Sequence, residues 1–352
     1  MTGSSPDKFS VVIVGTGAMG TRWAKVIGFH GRCRLAALVD PDLSKAETLM
    51  KIIGSSVPIF SDLRSALERL MVEAVVIATP HVFLAPLSEQ ALSLGKNVLC
   101  EKPGAINARQ LKKNWQLAQK KRLRFMIAFN HRFHPAIITA KKLFDRKDIG
   151  PLLFIRGRYG HGGRKGYDQE WRASKALGGG GELLDQGIHL IDLTRWFMGE
   201  PKEIRSFLTT NFWKIKPLED NAFILFKGDN DVIVHLHVSW TQWKNLFSWE
   251  VYGEKGYLSV EGLGGKYGRE RLLIGKRGRD FSVSEKKIEF RNPARIDPDD
   301  SLYDLWEEFI SAIEEERDPV PGVYEGWQAL ALVDKIYRQS QPQKNLWRAK
   351  KY

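Results

Sequence analysis

Three groups of residues in this chain have the types and spacing that chemistry needs. The first is Gly15-Thr-Gly17-Ala-Met-Gly20, which follows the apolar run Val11 to Val14 and precedes a helix-forming stretch from Ala18 to Phe29. A GxGxxG between strand and helix lets the backbone turn tightly at Gly15, approach a pyrophosphate at Gly17 and pack closely at Gly20. The helix N-terminus adds free N–H groups and a partial positive charge. Asp40 closes the next apolar run 20 residues after Gly20, where a carboxylate accepts hydrogen bonds from ribose hydroxyls and repels a 2′-phosphate. The expected cofactor is therefore NAD, with NADP disfavoured; Arg22 is the one nearby cation suited to a 2′-phosphate.

The second group is Glu101-Lys102-Pro103, at the end of the apolar run Asn97 to Cys100. In an open parallel sheet, ligands bind beyond the carboxyl ends of the strands. Lys102 is thus expected to hydrogen-bond the oxygen of a reacting carbinol or carbonyl. The third group, Gly178 to Gly181 followed by Glu182-Leu-Leu-Asp185-Gln-Gly-Ile-His189, carries an acid and an imidazole four residues apart. On a helix they share a face, and histidine suits proton exchange with an alcohol. The competing reading is a core histidine with a capping-type aspartate.

The elements that must position these groups follow from apolar rhythm. Up to about residue 130, short buried runs (Phe9 to Val14, Leu35 to Val39, Ala74 to Ala78, Asn97 to Cys100, Arg124 to Phe129) alternate with helical stretches at 18–29, 61–70, 84–94 and 108–121. That alternation implies a doubly wound parallel sheet covered on both faces. Beyond it, Leu152 to Tyr159, Asn221 to Lys227, Val232 to Thr241, Phe247 to Tyr252 and Gly256 to Glu261 read as strands joined by short turns, with helices at 182–198, 301–316 and 324–340. The fold class is therefore an α/β Rossmann domain, residues 1–129, followed by an α+β domain with an open, mainly antiparallel sheet, residues 130–352.

Composition narrows the rest. The chain has 352 residues, 43% hydrophobic and 27% charged, an ordinary globular balance. No apolar stretch reaches the roughly 18 residues a membrane span needs, and Met1 to Lys8 lacks the pattern of a signal peptide and reads as a frayed tail. The net charge of +13 attracts anions, but the basic residues are scattered and accompany no nucleic-acid-binding motif. Only Cys33 and Cys100 occur, outside any metal-ligand spacing, which suits a reducing cytoplasm. His235 and His237 alternate on one strand face without an evident third ligand, so no metal is expected. Arg156, Arg158, Arg164, Lys165, Tyr167, Trp171 and Arg172 crowd a Gly-rich region. They read either as solvated charge or as a site for the diphosphate of a nucleotide sugar.

Together these stretches resemble the glucose–fructose oxidoreductase and inositol dehydrogenase (Gfo/Idh/MocA) family. The resemblance is carried by Gly15 to Gly20, Ala78-Thr-Pro80, Glu101-Lys-Pro103, Asn130-His-Arg-Phe133, Trp171-Arg172 and Gly179 to His189, with a closing helix like Tyr324 to Ser340. It implies a catalytic set of Lys102, Asp185 and His189, with Asp185 orienting the imidazole. Cofactor contacts are expected at Gly15, Gly17, Ala18, Met19, Gly20, Asp40, Thr79, Pro80, Glu101 and Lys102. Substrate contacts are expected at Asn130, Arg158, Arg164, Trp171 and Arg172. Family members often carry a histidine four residues after the proline of the Thr-Pro turn; Leu84 stands there, and His81 directly follows Pro80. The implied activity is an NAD-dependent dehydrogenase or ketoreductase acting on a secondary hydroxyl of a nucleotide sugar, with a free sugar or inositol as the alternative substrate. The resemblance also implies a homodimer or homotetramer. A rival of another class is a non-catalytic dinucleotide sensor, against which the retained Lys102, Asp185 and His189 argue.

Overall fold

Runs of Val, Ile and Leu with no polar alternation can only be accommodated in strands buried on both faces, and the first half of the chain builds such a sheet. The computed structural model describes residues 8–290 and 300–340, so the tail read at Met1 to Lys8 lies outside it except for Lys8. In order come β1 (Phe9–Val14), α1 (Ala18–Phe29), β2 (Cys33–Val39), α2 (Leu43–Ile53), β3 (Ile59–Phe60), α3 (Leu63–Arg69), β4 (Ala74–Ile77), α4 (His81–Ser93), β5 (Asn97–Cys100), α5 (Ala108–Lys121) and β6 (Phe125–Ile127). The strands are parallel in the order β3-β2-β1-β4-β5-β6. The order reverses between β1 and β4, which opens a crevice at their carboxyl ends. Gly15, Thr79 and Lys102 follow β1, β4 and β5 on that one edge.

The second half begins with α6 (Pro135–Asp145) and β7 (Leu152–Gly160), then the short α7 (Lys175–Gly178) and α8 (Ile188–Met198). It continues with β8 (Glu203–Thr209), β9 (Asn221–Lys227), β10 (Ile233–Ser239), β11 (Leu246–Gly253), β12 (Gly256–Glu261), β13 (Arg271–Arg277) and β14 (Val283–Glu289). The sheet order is β14-β13-β12-β11-β7-β10-β9-β8, antiparallel except where β7 meets β10. Alternation divides its faces: Ile155, Tyr159, Ala222, Ile224, Leu236 and Val238 are buried, whereas Phe207, Phe223, Leu225 and Ile233 are exposed.

Two helices close the chain, α9 (Ser301–Glu314) and α10 (Val323–Ser340). The change of rhythm at residue 130 had put both in the second domain, but the chain returns. Leu302, Leu305, Trp306, Phe309 and Ile310 of α9 join Val11, Ile13 and Trp23 in one core cluster, covering a face of the parallel sheet. The reason is elementary: that face is apolar throughout, and α9 carries the stripe that removes it from water.

Candidate active site

The glycine loop is shaped by what a Cβ would strike. Gly15 has φ +89°, and a Cβ there would lie 2.5 Å from the Ala78 carbonyl oxygen; one on Gly20 would lie 1.9 Å from the Gly15 oxygen. Gly17, the N-cap of α1, borders open space, since a Cβ would meet nothing within 4 Å. No side chain caps α1, and its first turn contains no acid. The helix therefore keeps its N–H donors and its positive end for an anion, and the cradle fits a dinucleotide pyrophosphate. Asp40 is buried at the end of β2, and its Oδ2 accepts hydrogen bonds from the Thr16 N–H (2.9 Å) and hydroxyl (2.8 Å). Its Oδ1 accepts from the Asp42 N–H at 3.0 Å. The spacing suggests a ribose acceptor; it does not show that the same carboxylate braces the loop.

Lys102, leaving β5, crosses to the second domain. Its Nζ donates to the Asp185 carbonyl at 2.5 Å and to Oδ1 of the Asp185 carboxylate at 2.6 Å. Arg172 approaches the other oxygen of Asp185, Nε to Oδ2, at 3.3 Å. Burial opposes charge on Asp185, but Lys102 and Arg172 outweigh it and hold the carboxyl far below its ordinary value. Beneath the lysine, Glu101 is buried and accepts from Trp23 Nε1 at 2.8 Å; burial pushes its pKa up against that bond.

His189 departs from the expected pairing. Residues Leu183–Gly187 form a π turn, whose wider i,i+5 register takes Asp185 out of the stack that 3.6 residues per turn would place over His189. Asp185 therefore turns to Lys102 and Arg172, and no hydrogen bond joins it to His189 among the described residues. The His189 ring stacks instead on His131, centroids 3.8 Å apart at 21°, with Phe129 and Tyr159 edge-on. Its Nδ1 is buried without a hydrogen-bond partner, leaving Nε2 as the nitrogen suited to proton exchange. Burial and the Lys102 charge hold its pKa well below the ordinary histidine value, so the ring is neutral at neutral pH.

The glycine run makes this segment possible. A Cβ on Gly181 would lie 2.1 Å from the Glu219 carbonyl oxygen, and one on Gly180 would lie 2.3 Å from the Tyr337 hydroxyl. With no side chain of its own, the segment is capped from outside. Glu219 Oε1 accepts from the Leu183 N–H at 3.0 Å and the Tyr337 hydroxyl at 2.8 Å, and the Glu219 carbonyl accepts from the Glu182 N–H at 3.0 Å. Burial raises the Glu219 carboxyl to about 7.

The remaining expectations divide. Trp171 and Arg172 converge on the site: the Arg172 guanidinium lies 4.3 Å over the Trp171 ring, and Trp171 meets His81 edge-on at 4.9 Å. Thr79 and Pro80 lie at the start of α4 beside the glycine loop. Asn130 instead donates to Ser301 Oγ at 2.9 Å and ties down the start of α9. Arg164 is exposed and paired with Glu170. Arg158 is a correction: strand alternation turns it to the outer face of the second sheet with Arg156, where Glu250 lies beside both, away from Lys102 and Asp185. Leu84 is fully buried in the core, whereas His81, to which the sequence assigns no role, is buried next to Asp185. His237 stacks on Phe223 and pairs with Asn221, and among the described residues no cluster of three or more His, Cys, Asp or Glu could hold a metal ion. No described helix is long and apolar enough to cross a membrane.

Comparison with known proteins fixes the class. Residues 9–129 match the oxidoreductase family with an NAD-binding Rossmann fold, and residues 137–259 match the GFO/IDH/MocA C-terminal domain. The chain belongs to this family of NAD-binding oxidoreductases. It is similar to an uncharacterized oxidoreductase of Synechocystis sp., 25% identical with 97% of this chain and 96% of that one covered. It is also similar to the inositol 2-dehydrogenase of Rhizobium meliloti, 25% identical with 93% and 95% covered. Among solved structures, a levoglucosan dehydrogenase in complex with NADH and levoglucosan superposes with a TM-score of 0.84 at 21% identity, covering 95% of this chain and 97% of that one.

Proposed function

We propose that the protein is an NAD-dependent dehydrogenase that oxidises a secondary hydroxyl of a neutral sugar or cyclitol, or reduces the corresponding ketone. The observation that carries this reading is the contact of Lys102 with Asp185 across the two domains, at the carboxyl edge of the parallel sheet. Bound NAD supplies the hydride acceptor. Gly15, Gly17 and the start of α1 would hold its pyrophosphate, Asp40 its ribose, and Thr79, Pro80 and Glu101 the approach to the reacting end. His189 Nε2 takes the hydroxyl proton, being neutral and unable to spend Nδ1 elsewhere. Lys102 hydrogen-bonds the same oxygen with its remaining N–H and stabilises the charge that develops there. Asp185 keeps the ammonium aimed.

The nucleotide-sugar reading loses support because Arg158 faces away and Arg164 and Arg172 are already engaged by Glu170 and Asp185. The inositol and levoglucosan enzymes that resemble this chain are named for uncharged substrates, while a glucose-6-phosphate 3-dehydrogenase resembles it as well, so the preference rests on the engaged arginines. The exposed apolar row Phe207, Phe223 and Leu225 supports a homo-oligomer contact on the outer sheet face.

Lys102→Ala and His189→Ala test the assignment. Each is expected to lower kcat by on the order of 10²–10⁴ while NADH affinity stays close to that of the unaltered protein. Near-normal turnover in either variant would remove that residue from the mechanism.

A further inference from the structure

His81, the first residue of α4, is 3% exposed. Its Nδ1 lies 2.9 Å from the Gly178 carbonyl oxygen. A carbonyl only accepts, so the ring proton sits on Nδ1. Burial, with Lys102 and Arg172 close by, lowers the ring to about 4 against the pull of Asp185, so a neutral imidazole presents an Nε2 lone pair. That lone pair lies 3.7 Å from Asp185 Oδ1, beyond hydrogen-bond distance, and it accepts from no described residue. Two acceptors facing each other in a buried place repel unless a donor lies between them. Lys102 directs two of its N–H groups to Asp185, and the Trp171 ring packs against the imidazole in a T-shaped pair, centroids 4.9 Å apart.

We propose that His81 Nε2 and Asp185 Oδ1 form a paired acceptor site for one uncharged donor group of the bound ligands, a second hydroxyl of the sugar next to the carbon that reacts. A cationic donor would meet Lys102 and Arg172, and an anion would meet two lone pairs, so the pair selects a neutral O–H or N–H. The nicotinamide carboxamide has the same chemistry and is the other source of such a donor. The proposal rests on the dehydrogenase reading for its ligand, although the tautomer on which it depends belongs to the protein alone.

The test begins with protein labelled with ¹⁵N at histidine, the His81 signals being assigned by their loss in His81→Asn. NADH is added first, then the sugar turned over fastest among myo-inositol, levoglucosan and D-glucose, with glycerol standing in if none is turned over. The expected result is a proton on Nδ1 and an Nε2 resonance that moves when the sugar or polyol arrives; a move already complete with NADH assigns the donor to the carboxamide. A proton on Nε2, or an Nε2 resonance unmoved by both additions, overturns the proposal whether or not any sugar is oxidised. Failure of the dehydrogenase reading would show separately, as absent turnover. Kinetically, His81→Asn retains a donor for Gly178 and lacks Nε2, and His81→Phe retains the ring against Trp171. Both should raise KM for the sugar roughly 3- to 10-fold, the loss of one hydrogen bond, with kcat little changed. The increase should vanish for the monodeoxy analogue lacking the bound hydroxyl. With the carboxamide as donor, the Kd for NADH rises instead. If neither KM nor Kd changes, the pair holds no ligand.

Discussion

At the scale of residues, the site depends on one carboxylate shared by two cations. Asp185 accepts from Lys102 and lies beside Arg172, so its charge is retained at any pH the enzyme meets, and the ammonium of Lys102 is held at the edge where β5 ends. The proposed base is His189. A general base must be deprotonated to work, and burial with the Lys102 charge sets His189 well below 6.5. The acid limb of kcat/KM for oxidation should therefore lie below that value, leaving a flat profile from about pH 6.5 to pH 8; a limb centred at or above 6.5 would remove His189 as the base. That Lys102, Asp185 and the three glycines gather at one crevice was legible in the sequence from their types and spacing, whereas the expected pairing of Asp185 with His189 is undone by the π turn. His81 was not legible, because a lone histidine at the start of a helix looks the same whether it faces solvent or a carboxylate. Arg158 misled for a related reason: being close to the site in sequence says nothing about which face of β7 a side chain takes.

Among the elements, the segment from Gly178 to His189 is held closely on both sides. Gly180 and Gly181 are required because Tyr337 and Glu219 press against the backbone there, and those same residues cap donors that the segment cannot satisfy itself. The Glu219 carboxyl is raised from 4.5 to about 7 in the folded protein. Its protonated form is thus favoured by folding, so its contribution to stability is full below about 4.5 and is lost as pH rises through 7. The melting temperature should fall across that interval, and Glu219→Gln should remove the part of the slope that Glu219 supplies; an unchanged slope would contradict the assignment. A helix over 182–198 was readable from its apolar period, but the π turn at its start was not, since one extra residue per turn leaves no mark on composition. The strands β8, β13 and β14 escaped notice for another reason. Charged residues are strung along them (Glu203 and Arg205; Arg271, Lys276 and Arg277; Glu285, Lys286 and Lys287), as suits strands at and near a sheet edge, and that hides the apolar alternation.

For the whole molecule, the returning α9 and α10 make the two domains interdependent: α9 buries Trp306 and Phe309 against the parallel sheet, and α10 packs against both α5 and α8. The parallel sheet and its crevice were legible because continuous buried strands and a glycine fingerprint are local signals, whereas the return of α9 is a long-range one. The outer face of the second sheet carries the register row Phe207, Phe223, His237 and Arg158. Phe223→Asp places a charge in that row and is expected to shift sedimentation toward the monomer; an unchanged assembly would put the contact elsewhere. The crevice is proposed to move a hydride from a sugar carbinol to NAD. The most direct measurement incubates the protein and NAD⁺ with myo-inositol, levoglucosan, D-glucose and a panel of UDP-, GDP- and dTDP-sugars, each deuterated at its secondary carbinol carbons, and reads NADH by absorbance and its deuterium by mass. NADH carrying one deuterium is expected from a neutral sugar, and none from the Lys102→Ala protein. Deuterium-free NADH, or no NADH from any member of the panel, would contradict it.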